Sequence, residues 1–186
     1  LGVNIRASRT RMVVEGVGGR FLPSPDTLDL GDNGTAARLL VSLATLGQGQ
    51  YTLDGSPRLR QRPLAPLVEA LRALGAHLDY LEEPGHLPLR VTAGGLQGGQ
   101  VVFGDLDSSQ YVSSLLMLGP HLREPLTLVL SGRTVSEPYI AMTAAVMARF
   151  GARVQRQAAD RWRVHPGGYQ AGNFAVEADA SSASYG

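Results

Sequence analysis

One phrase of small polar residues opens three times along this sequence. It reads Gly-Asp-Asn-Gly-Thr at Gly31 to Thr35, Asp-Ser-Ser-Gln at Asp107 to Gln110, and Asp-Ala-Ser-Ser at Asp179 to Ser182. Each phrase follows a short apolar run with a strand pattern, Thr27–Leu30, Gln100–Phe103 and Asn173–Val176, and each leads into small and apolar residues at helical spacing. A strand-to-helix turn of this composition presents backbone N–H groups and hydroxyls at the positive end of a helix, a setting that suits an anion. Its repetition points to a molecule that gathers anionic groups.

The residues within these phrases differ in what they offer. Gly34 either lets a ligand approach the backbone closely or serves only the turn. Thr35 and Arg38 lie one helical turn apart, so Arg38 either faces the same helix end or stands in a solvent-exposed ion pair, the second being the expectation. Ser108, Ser109 and Gln110 bring two hydroxyls and an amide into one turn, enough to clasp a phosphate and a hydroxyl together or simply to cap the helix. Ser136, ahead of Glu137-Pro138, has the same two options at another helix start. Arg58, Arg60 and Arg62 alternate before Pro63, so in an extended chain they point to one side. Arginine matches phosphate and carboxylate bidentately. Asp54, Asp105 and Asp107 are available as acids or bases, but their spacing selects none of them.

Composition narrows the chemistry. With no cysteine, disulfides, thiolate catalysis and cysteine metal sites are excluded. The histidines, His77, His86, His121 and His165, are scattered and form no close ligand pair. No cofactor and no metal are expected. A net charge of +1 gives no sign of a nucleic-acid or membrane-surface partner. No apolar run is long enough to span a bilayer and no signal peptide is evident, so a cytoplasmic protein is expected. All 17 basic residues are arginine, so any lysine that a mechanism needs has to come from outside this sequence. The chain opens at Leu1 without methionine and stops at Gly186 as a helical phrase begins, as expected of a piece of a longer protein.

The elements that position these residues repeat as well. Asp32 and Asp107 are 75 positions apart, and Asp107 and Asp179 are 72 apart. Within each period a first helix, Thr35–Leu46 or Gln110–Leu118, precedes a strand, Gln50–Leu53 or Leu126–Leu130, closed by Gly55 or Gly132. A proline-bearing loop leads to a second helix, Leu64–Leu74 or Tyr139–Phe150. Both second helices end in a matching way, Leu74-Gly75-Ala76 and Phe150-Gly151-Ala152, with glycine as the stop signal. Alternation then predicts strand pairs, His77–Leu81 with Leu87–Thr92 and Arg153–Gln157 with Arg161–His165. The unit is strand-helix-strand-helix-strand-strand in an α/β fold. Asn4–Ala7 and Arg11–Glu15 resemble the closing strand pair of an earlier copy.

Five stretches, in order and at matching spacing, carry a resemblance over nearly the whole chain. They are Asp32-Asn-Gly-Thr-Ala-Ala-Arg38, Pro57-Arg-Leu-Arg-Gln-Arg-Pro63, Ser108-Ser-Gln-Tyr111, Val135-Ser-Glu-Pro-Tyr139 and Asp179-Ala-Ser-Ser-Ala-Ser-Tyr185. Together they resemble the 5-enolpyruvylshikimate-3-phosphate synthase family. A sister family, UDP-N-acetylglucosamine enolpyruvyl transferase, shares the fold but matches these motifs less well. The resemblance implies one globular half of the enolpyruvyl transferase fold, an inside-out α/β barrel. Residues 1–176 form the half-domain with its first repeat incomplete, and residues 177–186 begin the crossover to the other half. It implies transfer of the enolpyruvyl group of phosphoenolpyruvate to the 5-hydroxyl of shikimate-3-phosphate with release of phosphate, by addition and then elimination. A non-catalytic anion-binding domain of the same fold is the alternative.

Position by position, the resemblance places Ser108, Ser109, Gln110, Ser136 and Tyr139 around shikimate-3-phosphate, and Asp32, Gly34, Arg62 and Gln110 around phosphoenolpyruvate. Gly34 falls where the family's inhibitor glyphosate fits tightly, and Arg38 is expected to be structural. Two departures stand out. Asp32 replaces the usual asparagine, and a carboxylate there opposes an anion unless it is paired, with a nearby arginine the expected partner. Glu137 stands where lysine or a similar residue is common and is expected to face solvent. The family's Gly-Ser-Lys-Ser segment, with its catalytic lysine, has no counterpart in this sequence. No catalytic residue is therefore assigned here, and the chain by itself is expected to be inactive.

Overall fold

A computed structural model describes residues 2–18 and 21–176, so the third polar phrase, at Asp179 to Ser182, lies outside the described residues. Two copies of one unit make up most of the molecule. The first runs β3 (Leu28–Asp29), α1 (Gly34–Ala44), β4 (Gly49–Asp54), a short helix α2 (Pro57–Arg60), α3 (Ala65–Ala73), β5 (His77–Tyr80) and β6 (Leu89–Ala93). The second runs β7 (Gly99–Phe103), α4 (Gln110–Leu118), β8 (Leu126–Leu130), α5 (Pro138–Arg149), β9 (Val154–Ala158) and β10 (Arg161–Val164). Ahead of both lies a hairpin of β1 (Asn4–Ala7) and β2 (Met12–Glu15), the two expected strands paired antiparallel.

The two sheets share one strand order, β3-β4-β6-β5 and β7-β8-β10-β9. In each, the first pair is parallel and bridged by a helix, and the other pairs are antiparallel. Alternation along the strands turns Tyr51, Leu53, Leu89 and Val91 inward in the first sheet and Val101, Phe103, Trp162 and Val164 inward in the second. The second helices stop as their sequences dictate. Gly75 (φ 95°) and Gly151 (φ 79°) take left-handed conformations. In both, the next residue donates back to the final turn, Ala76 to the Leu71 carbonyl at 3.0 Å and Ala152 to the Met147 carbonyl at 3.1 Å. This is the Schellman arrangement, made twice by equivalent residues.

Helix α4 is the centre of the molecule. Tyr111, Val112, Ser113, Ser114, Leu115, Leu116 and Leu118 are all buried, so it has no solvent face. It packs between α1 and α5. Its two serines are satisfied by those neighbours: Ser114 Oγ donates to the Arg38 carbonyl at 3.0 Å, and Ser113 Oγ shares a hydrogen bond with Thr143 Oγ1 at 2.9 Å. Helix α5, by contrast, buries only Ile140, Ala144 and Met147 and leaves the rest of its surface largely exposed. No helix among the described residues is long and apolar enough to cross a membrane.

The structure changes two local expectations. Residues 173–176 form no strand, and no described strand lies beside them to supply hydrogen bonds. Arg58, Arg60 and Arg62 are not on an extended segment: Ser56 caps α2 by accepting from Leu59 N at 3.1 Å, and Pro57 occupies the first helical position, so the chain coils there.

Gly55 and Gly132, which close β4 and β8, have equivalent tasks. A Cβ on Gly55 would stand 2.7 Å from the Gly31 carbonyl oxygen, and one on Gly132 would stand 2.5 Å from Asp105 N. Each glycine therefore lets its strand end pass directly against the turn that starts the first helix. Gly132→Ala in the full-length protein is expected to lower stability by about 1–3 kcal/mol through overpacking against backbone. Urea denaturation checks this, and an unchanged midpoint would contradict the close-passage account.

Candidate functional site

The two described polar phrases meet at the starts of α1 and α4. In the first, Asp29 Oδ1 accepts from Gly31 N at 2.9 Å and Asn33 caps α1 by accepting from Ala36 N at 2.9 Å. In the second, Ser108 Oγ accepts from Gln110 N at 3.2 Å. Gln110 joins the phrases: its Nε2 donates to Thr35 Oγ1, across the two units, at 2.9 Å. Two helix starts therefore lie side by side, each adding its partial positive charge to the same region.

Two further loops border this region. Tyr111 OH donates to the Pro63 carbonyl at 2.9 Å, which fixes the segment carrying Arg62. Arg62 folds over Gly34, where a Cβ would collide with its guanidinium and come within 3.2 Å of its Cδ. Gly34, Ala37, Arg38, Leu59, Arg62, Leu64 and Leu87 line the niche there. On the other side, Leu106 and Thr134 form a parallel bridge, and Val135 N donates to the Leu106 carbonyl at 3.2 Å. Ser136 is the next residue after this pairing. Ser136 holds φ at 61°, uncommon for a residue with a side chain. Tyr139 follows in the first turn of α5 and is 57% exposed.

The three arginines before Pro63 have different surroundings. Arg60 is committed: it binds Asp54 through Nε at 2.8 Å and Nη2 at 2.5 Å, and Glu82 at 2.9 Å. Its pKa is raised, first by the hydrogen bond to Asp54. Arg58 and Arg62 are exposed and make no ion pair among the described residues. Two of the candidate acids are engaged: Asp54 is held by Arg60, and Asp105 Oδ1 accepts from Arg133 N at 2.7 Å. Asp32 accepts a hydrogen bond from the Ser56 hydroxyl rather than pairing with an arginine. Glu137 is exposed as expected and pairs with Arg156 at 2.9 Å.

Arg38 differs most from its expectation. It is 9% exposed, not a surface residue, and its guanidinium lies 4.7 Å from the centre of the Tyr111 ring. The sequence held a signal for this: Gly34, Ala37, Arg38 and Val41 share one helical stripe, and all four are buried. Tyr111, fully buried, was visible only as the end of the Ser108 motif. Its phenol pKa is raised, mainly by burial, with Asp107 adding to the rise and Arg38 opposing it.

Two repeated units around a buried helix, with their first-helix starts joined by Gln110, define an α/β repeat protein. The family model for EPSP synthase (3-phosphoshikimate 1-carboxyvinyltransferase) matches residues 1–186. The chain is 46% identical over 191 residues to the 3-phosphoshikimate 1-carboxyvinyltransferase of Shewanella denitrificans, covering all of this chain and 44% of that protein. It is 43% identical to the protein of the same name from Methanoculleus marisnigri, again over the whole chain and 44% of the relative. The EPSP synthase structure from Acinetobacter baumannii superimposes with a TM-score of 0.76 at 25% identity, over 92% of this chain and 38% of that one. The chain belongs to the EPSP synthase family and has one half of its fold, spanning less than half the length of the relatives it matches.

The buried phenol has a pH consequence. Unfolding lets Tyr111 ionise near the ordinary value of 10.0, whereas the folded chain holds its proton to higher pH. The native-state contribution is therefore full below pH 10 and is lost as pH rises through the folded pKa. Tyr169, pushed up to about 12 by burial, acts in the same direction. Urea midpoints of the full-length protein are expected to fall above pH 10, and less steeply in Tyr111→Phe. Equal slopes would contradict the role of burial.

Proposed function

We propose that the protein transfers the enolpyruvyl group of phosphoenolpyruvate to the 5-hydroxyl of shikimate-3-phosphate and releases phosphate, as a cytoplasmic enzyme of the shikimate route to aromatic amino acids. The observation that carries this reading is the Gln110 bridge. One amide lies between a serine-rich helix start and a helix start flanked by an exposed arginine, an arrangement suited to two anionic substrates held side by side. Membership of the family supports the choice of substrates.

In this reading Ser108, Ser109 and Ser136 bind the shikimate-3-phosphate phosphate and hydroxyls, with Tyr139 against the ring. Arg62 and the backbone at Gly34 hold phosphoenolpyruvate, and Gln110 donates between the two. Charge-assisted contacts from a guanidinium with no competing carboxylate suit a phosphate or carboxylate oxygen. Asp32 borders this region with its carboxylate engaged by Ser56. Addition to the enolpyruvyl carbon and elimination of phosphate require proton transfers, and the acids, bases and lysine for these come from the rest of the enzyme. Residues 1–176 act as the substrate platform, and residues 177–186 lead toward the other half.

Full-length protein is expected to release phosphate from phosphoenolpyruvate only when shikimate-3-phosphate is present; well-folded protein without such turnover would sink the proposal. Arg62→Ala should raise the KM for phosphoenolpyruvate about ten- to a hundredfold, the equivalent of about 1.5–3 kcal/mol for a charged hydrogen bond. The KM for shikimate-3-phosphate should change far less. An unchanged phosphoenolpyruvate KM removes Arg62 from the site.

A further inference from the structure

Arg38 is a buried cation with no carboxylate partner among the described residues. Its Nη1 donates to Gln110 Oε1 at 2.7 Å and to Ser108 Oγ at 3.2 Å, and its Nη2 donates to Tyr111 OH at 3.2 Å. Its direct partners are three dipolar acceptors and a ring face, the nearest carboxylate influence being that of Asp107 on the Tyr111 phenol, and Nε is left buried without a partner. Burying a charge on these terms is unfavourable for stability alone, so the arrangement calls for another explanation.

The chemistry of the partners supplies one. A guanidinium only donates, so the oxygen of the Gln110 amide has to face it. The amide nitrogen is then turned the other way, where one N–H reaches Thr35 and the other is free for a ligand. Tyr111, which accepts from Arg38, donates its own O–H to the Pro63 carbonyl beside Arg62. A continuous chain therefore runs from Ser108 and Gln110 through Arg38 and Tyr111 to the Arg62 loop. We infer that Arg38 is a positioning residue: it fixes Gln110 in the donor orientation and holds that orientation in register with the Arg62 loop. This inference rests on the transfer reaction proposed above for its kinetic consequence, but not for its geometry.

Lysine keeps the charge and loses the fork, so Arg38→Lys is the informative change. In the full-length enzyme it is expected to lower kcat/KM for phosphoenolpyruvate about tenfold or more, and less than about threefold in a Gln110→Ala background, since coupled residues are non-additive. Equal losses in both backgrounds would overturn the inference, because a general structural role does not depend on Gln110. A crystal structure of Arg38→Lys should show the Gln110 amide turned or withdrawn from Thr35. An unmoved Gln110 overturns the inference whether or not the protein proves to be a transferase, whereas failure of the unmodified enzyme to turn over sinks only the proposed reaction. Should Arg38→Lys not fold, Tyr111→Phe keeps the ring beneath the guanidinium and removes the Nη2 acceptor. It should lower the same kcat/KM about threefold or more, since it loses both the hydrogen bond from Arg38 and the one to the Pro63 carbonyl, and no change would count against Arg38.

Discussion

Everything in this molecule depends on α4 having no exposed side. A helix enclosed on all faces has to satisfy its polar groups against its neighbours, and its start can open only into a space that other elements also border. Ser113 and Ser114 meet the first demand through Thr143 and the Arg38 carbonyl. Gln110 meets the second by emerging against the start of α1. The sheets follow from the same constraint, each turning one apolar face inward over the helices and leaving the other to water.

Repetition is what makes the site possible. Two copies of one unit, placed with their first helices in contact, bring two positive helix ends together without any residue devoted to that purpose. The copies then diverge in their side chains: glycine and a neighbouring arginine at one start, paired serines and an amide at the other. The absence of lysine sharpens the division of labour, since arginine recognises anions but is held protonated too firmly to exchange protons.

Much of the fold was legible because its signals are local. Helical and strand periods differ, and Gly75 and Gly151 mark helix ends through a conformation that their neighbours cannot adopt cheaply. What escaped was set by contacts distant in sequence. Arg38 meets partners some 70 positions away, so nothing beside it announces burial except its place on an apolar stripe. The coil of α2 is a conflict between two local signals: arginines alternating at 58, 60 and 62 suggest extension, but Ser56 and Pro57 start a helix. Residues 173–176 have strand composition, yet a strand exists only with a neighbour to pair with. At the site, the motifs marked Ser108, Gln110, Gly34 and Arg62, whereas the links among them through Tyr111 and Pro63 required the fold.

The contact between Gly34 and Arg62 bears on how such a protein changes over generations. Position 34 is not a private surface between the chain and whatever occupies the niche. Any side chain added there is met first by the guanidinium. Selection that enlarges residue 34 would therefore also displace the Arg62 side chain. The size of residue 34 and the rest position of Arg62 are one mechanical variable, and any relief would have to begin in the residues that set where Arg62 rests.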